Sequence, residues 1–344
     1  MSHDLSIGDR LLREGVDAGV FTHAVYALAV DGNVVAIQAF GQAEVDTIFD
    51  LASLTKPMST ATLLLQSVER GELHLGQRAA DFFDKVDSAA ARKNLGDIAL
   101  LHLATHTSGL PPVPDWPPPF ESLTHADFIR STLGTMPLHA PGAAYRYSDV
   151  GYILLGEIIP AAAGAPLEKL FQDRIAAPAG LTSTGFTPVP SVYARIAPTS
   201  TWGVDGRVHD PRAQDLGGIA GHAGLFGTAA DVLTYLEVIR KGGSPLLSGA
   251  STACMAVSRI DPAVGAHSIG WFCAGNDLLP RGDLFSDRSF GHSGFTGAVA
   301  LIDPEYAVSL VLLTNRVIGG EDNRRYLLLR RKWTNAVAAA VTRG

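Results

Sequence analysis

The stretch Leu51-Ala52-Ser53-Leu54-Thr55-Lys56-Pro57 decides how the rest of the chain is interpreted. It predicts the start of a buried helix, because Pro57 is tolerated in a first turn, where a backbone N–H lacks a partner anyway. Ser53 and Lys56 are three residues apart and share one face of that helix. A desolvated amine can serve as base to a serine, and the N–H groups of a helix N-terminus favour an oxyanion. The same residues could also be an N-cap serine and a solvent-facing lysine. Whether Ser53 and Lys56 form a catalytic pair therefore depends on residues downstream.

The composition is that of a large globular protein without a strong affinity for polyanions. The chain has 344 residues, of which 47% are hydrophobic and 18% charged, and its net charge is −7. This predicts about two domains, or one with a large insertion, and argues against nucleic acid or an anionic membrane as partner. The N-terminus has neither a basic nor an apolar segment, and no apolar run has transmembrane length. We therefore expect a cytoplasmic protein acting on a small-molecule substrate, of unknown oligomeric state.

Strand patterns near both ends enclose a middle part with helical patterns. The main predicted strands are 26–30, 34–40, 292–302 and 307–313, and the main predicted helices are 5–19, 53–69, 97–105, 151–163, 228–240 and 322–341. This order predicts an α/β (α+β) fold with an antiparallel sheet flanked by terminal helices, and a mainly helical inserted domain. We assign 1–50 and 225–344 to the sheet domain and 51–224 to the helical domain, with the site at their seam.

Two further stretches offer the other parts of a site that a serine and a lysine need. Tyr147-Ser148-Asp149 precedes an apolar helix, and His292-Ser293-Gly294 lies in a glycine-rich strand. With Ser53-Leu54-Thr55-Lys56 before them, they resemble, in the same order, the Ser-x-x-Lys, Tyr-x-Asn and Lys-Thr-Gly motifs of the serine β-lactamase and penicillin-binding protein superfamily. His106-Thr107-Ser108-Gly109-Leu110 and Gly221-His222-Ala223-Gly224-Leu225-Phe226 are similar to its class C β-lactamase-like branch, which includes esterases, D-aminopeptidases and DD-peptidases.

The resemblance implies a role for each matching residue. Ser53 would be the acylated nucleophile. Lys56 would take the proton of Ser53 or tune its pKa, and Tyr147 would relay protons between the nucleophile and the leaving group. The backbone N–H groups of Ser53 and Phe295 would form the oxyanion hole. The strand edge along which substrate docks would consist of His292, Ser293 and Gly294.

Two residues depart from the motifs of the superfamily. Asp149 takes the place of the Asn among the substrate-binding residues, and a carboxylate there would favour the ammonium form of Lys56 and shift the task of base to Tyr147. It would also offer no donor to an amide carbonyl. His292 takes the place of the Lys, and a neutral imidazole gives no permanent cation for the carboxylate of a β-lactam. Both departures favour hydrolysis of carboxylic esters or small amides over efficient β-lactam hydrolysis.

We therefore predict a serine hydrolase that forms an acyl-enzyme on Ser53 and needs no cofactor or metal. The alternative is a D-stereospecific peptidase, DD-carboxypeptidase or weak β-lactamase with the same site, and a non-catalytic ligand-binding sensor ranks below both. His102 and His106 have the spacing of a zinc pair, but the Glu of His-Glu-x-x-His is missing. The glycine-rich turn at 217–227 lacks a phosphate-loop Gly-Lys-Ser/Thr, so it predicts close backbone packing. Trp116, Trp202 and a segment with six prolines at 111–120 are candidates for a pocket wall and a lid.

Overall fold

The computed structural model describes residues 3–116, 123–200, 206–320 and 324–342. The helices are α1 (Ser6–Asp17), α2 (Thr62–Glu69), α3 (Asp84–Leu95), α4 (Leu100–Ala104), α5 (His125–Leu133), α6 (Asp149–Ala163), α7 (Leu167–Phe171), α8 (Ala177–Ala179), α9 (Pro211–Asp215), α10 (Ala229–Arg240), α11 (Gly249–Ala256) and α12 (Arg324–Val341). The strands are β1 (His23–Val30), β2 (Asn33–Gly41), β3 (Phe49–Asp50), β4 (Gly185–Phe186), β5 (Leu225–Gly227), β6 (Phe272–Cys273), β7 (Phe290–Ser293), β8 (Val299–Asp303) and β9 (Val308–Thr314).

The main sheet is antiparallel and is built from both ends of the chain. Its six strands run in the order β2-β1-β9-β8-β7-β6, so the N-terminal strand β1 pairs with the C-terminal strand β9. Residues of β1 are buried on both faces of the sheet, since one face meets α1 and α12 and the other meets α10. On the first face, the Trp333 ring lies 5.6 Å from that of Tyr26. The predicted mixed α and β fold with an antiparallel sheet is therefore confirmed.

One predicted strand is wrong. The segment 292–302 forms the two strands β7 and β8, and the chain reverses between them at residues 294–298. The N–H of Gly294 donates to the carbonyl of Ala298 at 2.8 Å, which closes the turn. The β-rich pattern of the segment predicts a single strand, whereas its glycines allow the chain to reverse. The reversal leaves the side chain of Phe295 at the tip of the turn, where 48% of it is exposed.

The Ser53 segment begins as a 3₁₀ turn at Ala52–Leu54 and continues as a π-helical turn at Lys56–Ala61 before α2. Ala52 adopts a positive φ of 47°, which is unfavourable for alanine. Its N–H donates to the carboxylate of Asp50 at 2.8 Å, and this bond holds the bend in front of Ser53. The segment is buried except at Ser53, which is half-buried, as predicted for a helix inside the protein.

The glycine-rich turn before β5 packs backbone against backbone. A Cβ atom on Gly221 would lie 2.1 Å from the carbonyl oxygen of Tyr152 on α6. The predicted close packing is therefore confirmed. Through this approach the turn passes beside the Ser53 segment, since the Gly221 carbonyl accepts a hydrogen bond from the Thr60 hydroxyl at 2.6 Å.

Of the two tryptophans considered as pocket walls, the structure describes only Trp116. Trp116 is buried among the helices, where its Nε1–H donates to the Thr132 hydroxyl at 3.0 Å and its ring lies 4.6 Å from that of Phe128. It therefore belongs to the core of the helical part and does not line a pocket at Ser53. Trp202 and the end of the proline-rich segment, from residue 117, lie outside the described residues.

No single helix of the described residues is both long and apolar enough to cross a membrane. The pair formed by Asp149–Ala163 and Leu167–Ala179 reaches the required length and apolarity only together, with a bend of 76° between them.

Candidate active site

Lys56 and Ser53 are in contact at the mouth of a cleft. The Lys56 ammonium donates to the Ser53 hydroxyl oxygen at 3.0 Å and to the carbonyl oxygen of His222 at 2.9 Å. The same nitrogen lies 2.7 Å from Oδ1 of Asp149, the first residue of α6. The lysine side chain is fully buried, whereas 22% of the Asp149 side chain remains exposed.

These contacts bring three oxygen atoms around the Lys56 nitrogen. A buried ammonium is stable only where acceptors or counter-charges surround it, and here one hydroxyl, one carbonyl and one carboxylate do so. Asp149 acts as the counter-ion of Lys56. An asparagine at this position, as in the motif that the sequence resembles, would carry no charge and could not do so.

Tyr147 completes the group around the nucleophile. Tyr147 and Ser53 line the same cavity, and the Lys56 nitrogen lies 5.0 Å from the centre of the Tyr147 ring. Burial and the charge of Asp149 raise the pKa of Tyr147 well above its usual value. The phenol is therefore neutral near pH 7, and it can accept a proton only while it passes its own proton onward.

His106 holds the main chain on both sides of Tyr147. Its carbonyl accepts the N–H of Arg146 at 2.9 Å, and its Nδ1 accepts the N–H of Ser148 at 3.1 Å. Its ring lies 4.5 Å from the ring of Tyr147. His106 itself has a positive φ of 58°, so the bend at this residue is part of the arrangement that fixes the tyrosine.

Three buried imidazoles surround Tyr147 and its neighbours. Burial lowers the pKa of His106 and His292 far below the usual value, and it lowers the pKa of His267 to about 3. The rings of His267 and His292 donate from Nδ1 to the carbonyls of Ser268 and Ser293 at 2.6 and 2.9 Å. All three are therefore neutral near pH 7.

The side chain of His292 does not occupy the position expected for it. It is fully buried and stacks on Phe272 with ring centres 4.3 Å apart. The docking edge expected at 292–294 is instead presented by Ser293 and Gly294, which line an open cavity of about 230 Å³ together with Ser53. The reason is the alternation of a strand, which turns His292 to the face opposite that of Ser293.

The turn that carries Phe295 is pressed against the Ser53 segment. A Cβ atom on Gly294 would lie 2.6 Å from the carbonyl oxygen of Leu51, and the Thr296 hydroxyl donates to the carbonyl of Asp50 at 2.7 Å. No hydrogen bond from the backbone N–H of Phe295 occurs within the described part of the chain. This amide can therefore serve as an oxyanion donor, as can the N–H of Ser53 at the start of its helical turn.

Two further aspartates, Asp50 and Asp210, support the loop opposite Phe295. Burial raises the pKa of Asp50 to about 6, and its carboxylate accepts the N–H groups of Ala52 and His209. Oδ1 of Asp210 lies 2.9 Å from Nε2 of His222, whose carbonyl accepts from Lys56. These contacts anchor the loop at His209 and Asp210 to the Ser53 segment and to the turn at His222.

His102 and His106, which have the spacing of a zinc pair, are each bonded to a different part of the main chain. His102 Nδ1 accepts the N–H of Ala99 at 3.1 Å at the start of α4, and His106 is bonded to Ser148. Within the ranges that the structure describes, no group of three or more His, Cys, Asp or Glu side chains could hold a metal ion.

Several residues at the site were missed by the sequence interpretation. His106 was noted within a family-like stretch and for its zinc-like spacing from His102, but no role beside Tyr147 was predicted for it, nor was any role predicted for Asp50, Arg316 or Arg330. Arg316 belongs to the stretch Leu313-Thr314-Asn315-Arg316, which also resembles the family, so its neighbourhood carried a signal. Arg330 lies in a helix far along the chain, and no local pattern points to it.

Comparisons with known proteins agree with this geometry. The sequence model of the Beta-lactamase family matches residues 9–332. A protein of Escherichia coli (strain K12) with the name "Putative D-alanyl-D-alanine carboxypeptidase" is 32% identical over 324 residues, which cover 83% of this chain and 73% of that protein. A relative with the same name in Escherichia coli O157:H7 is 30% identical over 323 residues, with the same coverage of both chains.

Solved structures share the fold at lower identity. EstCE1, described as a hydrolase with promiscuous acyltransferase activity, superposes with a TM-score of 0.77 at 23% identity, covering 96% of this chain and 98% of its own. The octameric penicillin-binding protein homologue from Pyrococcus abyssi gives a TM-score of 0.74 at 20% identity, covering 95% of this chain and 76% of its own.

The chain therefore belongs to the Beta-lactamase family. It is a serine hydrolase of that family with a small-molecule substrate, and the class of enzyme predicted from the sequence is confirmed.

Proposed function

We propose that the protein hydrolyses carboxylic esters or small amides through an acyl-enzyme on Ser53. The observation that carries this assignment is the contact of the Ser53 hydroxyl with Lys56, in a cavity that Tyr147 also lines. Its oxygen would attack the substrate carbonyl and form an ester with the acyl group, and water would release the acid in the second step. The N–H groups of Ser53 and Phe295 would stabilise the negative charge on the carbonyl oxygen.

The proton leaves Ser53 through Tyr147 in this proposal. Lys56 stays paired with Asp149 in this proposal and does not take the proton, and its positive charge stabilises the developing alkoxide. The Ser53 proton moves to the phenol oxygen while the phenol proton moves to the leaving group. This exchange never requires a free phenolate, which agrees with the raised pKa of Tyr147.

Esters are the better substrates in this proposal, and D-alanyl peptides are the second candidate. The carboxylate of Asp149 offers no hydrogen-bond donor to an amide carbonyl, which favours substrates that do not need one. The second candidate is supported by the name of the Escherichia coli relatives, which are carboxypeptidases acting on D-alanyl-D-alanine by that name. A weak β-lactamase would use the same residues, and a non-catalytic sensor is disfavoured because the Ser53, Lys56 and Tyr147 contacts are complete.

The test compares turnover of p-nitrophenyl butyrate by wild type, Ser53→Ala and Ser59→Ala, with and without a chelator. Ser59 is a matched control because it is another buried serine of the same helical segment, and its hydroxyl has no partner among the described residues. We expect Ser53→Ala to lose turnover, and Ser59→Ala and the chelator to leave it. Equal activity of wild type and Ser53→Ala would show that Ser53 is not the nucleophile.

The division into a sheet domain (1–50 and 225–344) and a helical domain (51–224) with the site between them stays a prediction, as does the cytoplasmic location.

A further inference from the structure

Two consecutive residues of one loop, His209 and Asp210, contact separate parts of the candidate active site. The ring of His209 stacks on that of Phe295, with ring centres 5.7 Å apart. Oδ1 of Asp210 lies 2.9 Å from Nε2 of His222. The loop therefore reaches both the turn that carries the proposed oxyanion donor and the glycine-rich turn before β5.

The contact between Asp210 and His222 is a hydrogen bond to a buried charge. Burial would raise the pKa of the Asp210 carboxyl, but the hydrogen bonds from His222 and from the N–H of Ala213 lower that pKa below its usual value. Asp210 is therefore a carboxylate near pH 7, and Nε2 of His222 must donate to it. Nδ1 of the same ring is buried and has no hydrogen-bond partner among the described residues. The bond to Asp210 is thus the one that orients the ring within this part of the chain.

The main chain of His222 holds the amine beside the nucleophile. Its carbonyl accepts a hydrogen bond from Lys56 at 2.9 Å, and the same nitrogen lies 3.0 Å from the Ser53 hydroxyl. A lysine side chain is flexible, so its acceptors decide where its nitrogen lies. The backbone around His222 is not stiff by itself, since Gly224 has a φ of 124°, a conformation that favours glycine. An anchor on the His222 side chain therefore helps to fix the carbonyl that holds Lys56.

The charge of Asp210 also reaches the reacting groups. It helps to raise the pKa of Tyr147, and Lys56 in turn helps to lower the pKa of Asp210. Asp210 is thus a second carboxylate that acts on the site, besides Asp149, which contacts Lys56 directly. Its effect on position, through His222, and its effect as a charge can be separated by substitution.

We propose that Asp210 and His222 form a positioning pair for the reaction of Ser53. The Asp210 carboxylate holds the His222 ring, and the His222 carbonyl holds the Lys56 nitrogen against the Ser53 hydroxyl. Neither Asp210 nor His222 lines the cavity beside Ser53, so both act through Lys56 and not on the substrate. The inference rests on the proposed function, because it concerns the same nucleophile.

Substitutions of His222 test the hydrogen bond. His222→Leu removes the donor, so we expect kcat for p-nitrophenyl butyrate to fall roughly 10- to 100-fold with little change in KM, as for a displaced catalytic group. His222→Gln keeps an N–H donor near the position of Nε2 and should recover most of the loss. The matched control is His125→Leu, which breaks a histidine–carboxylate contact of 3.1 Å with Glu157 between α5 and α6 and should leave kcat unchanged.

Substitutions of Asp210 separate position from charge. Asp210 also caps α9, since its carboxylate accepts the N–H of Ala213 at 2.8 Å. Asp210→Ser keeps a capping hydroxyl but is too short to reach His222, so it should lower kcat as His222→Leu does. Asp210→Asn keeps an acceptor for both donors and should retain most of kcat. Because Tyr147 then loses a nearby negative charge, the alkaline limb of the pH–rate profile should move to lower pH.

A double variant tests whether the two residues act as one. Asp210→Ser combined with His222→Leu should lower kcat no further than either change alone, because both break the same contact. Circular dichroism melts of all variants show whether they fold. Unchanged kcat in His222→Leu, an equal loss in His222→Gln, or losses that multiply in the double variant would overturn the positioning pair.

The position of Lys56 can be measured without turnover, which separates this inference from the proposed function. In protein with ¹³C-labelled lysine side chains, the Cε signal of Lys56 is identified by its absence in Lys56→Arg. We expect this signal to keep its chemical shift in His222→Gln and to move towards that of exposed lysines in His222→Leu. This result supports the positioning pair even if wild type hydrolyses no ester. An unmoved signal in His222→Leu would overturn the pair, even if Ser53-dependent hydrolysis is observed.

Discussion

Nζ of Lys56 lies 2.7 Å from Oδ1 of Asp149, so the lysine beside the nucleophile is held as one half of an ion pair. The carboxylate comes from the first turn of α6, where the N–H groups of the helix also favour a negative charge. The replacement of the family asparagine by Asp149 thus adds a carboxylate beside Lys56, and in the proposed mechanism the proton of Ser53 leaves through Tyr147.

Replacing Asp149 by asparagine should therefore change the pH dependence of catalysis. The charge of Asp149 helps to raise the pKa of Tyr147, so its removal should lower that pKa, and we expect the alkaline limb of the activity towards p-nitrophenyl butyrate to move to lower pH. The unfolding free energy should fall by less than the roughly 3–5 kcal/mol typical of a fully buried pair, because Asp149 is 22% exposed. The pH–rate profile and urea unfolding measure the two effects.

The control for this variant is Asp173→Asn. Asp173 forms an ion pair of the same length, 2.7 Å, with Lys169, but both side chains are more than half exposed. Its removal should leave the pH–rate profile and stability nearly unchanged. An unshifted profile for Asp149→Asn would mean that the pair does not control the proton of Ser53.

His106 should act as a positioning residue for Tyr147. In His106→Ala the bond to the Ser148 N–H and the ring contact with Tyr147 are lost, so we expect kcat to fall roughly 10- to 100-fold with a small change in KM. His106→Asn should keep more activity, since asparagine tolerates a positive φ and offers a side-chain acceptor. Steady-state kinetics over pH test this, because a misplaced Tyr147 also alters the alkaline limb.

His102→Asn provides the comparison for the His106 variants. His102 lies on the neighbouring helix α4 and accepts the N–H of Ala99, so it holds a helix start and not the tyrosine. If it reduced kcat as strongly as His106→Ala, the effect would come from general disturbance of this region.

Stability should decrease as the pH falls below about 6.5. His106, His267 and His292 are neutral in the fold because their pKa values are lowered, whereas in the unfolded chain they accept protons near 6.5. Their contribution is thus fully present above that pH and is lost on acidification, at about 1.4 kcal/mol per pH unit for each proton. Asp50 acts in the opposite direction below pH 6, since its pKa is raised to about 6 from 3.8.

Urea unfolding at a series of pH values measures this slope. His267→Gln removes one of the three imidazoles, so it should make the slope between pH 6.5 and 6 about a third smaller. His74→Gln removes an exposed histidine and should not change it. A wild-type slope near zero in this interval would contradict the assignment of three neutral buried imidazoles.

Gly221→Ala should destabilise the protein and impair the site together. The new Cβ would meet the Tyr152 carbonyl at 2.1 Å, so the cost should reach or exceed the roughly 1–3 kcal/mol usual for overpacking. The shift would also displace the neighbouring His222 carbonyl, which accepts from Lys56. Thermal melts and esterase activity measure both effects.

Gly185→Ala is the matched substitution, because a Cβ there would meet no atom within 4 Å. It should be close to neutral in both measurements. Equal losses in the two variants would argue against close packing at Gly221 as the cause.

Local patterns determined a large part of this protein in advance. The order of the three motifs, the turn between β1 and β2, and the antiparallel sheet built from both ends all follow from neighbouring residues and their spacing. The helix cap at Thr124 and Asp127 is another example, since each side chain accepts or donates within four positions. Such features depend on short-range sterics and hydrogen bonds, which the sequence expresses directly.

Only the tertiary structure decided which charges meet. Lys56 bonds to the carbonyl of His222, 166 positions away, and pairs with Asp149. The burial of His292 and the reversal at 294–298 likewise follow from how β7 packs on Phe272 and on the Ser53 segment. Charge states and pocket walls depend on distances between remote segments and on the loss of water around them, and no local pattern in the chain encodes either quantity.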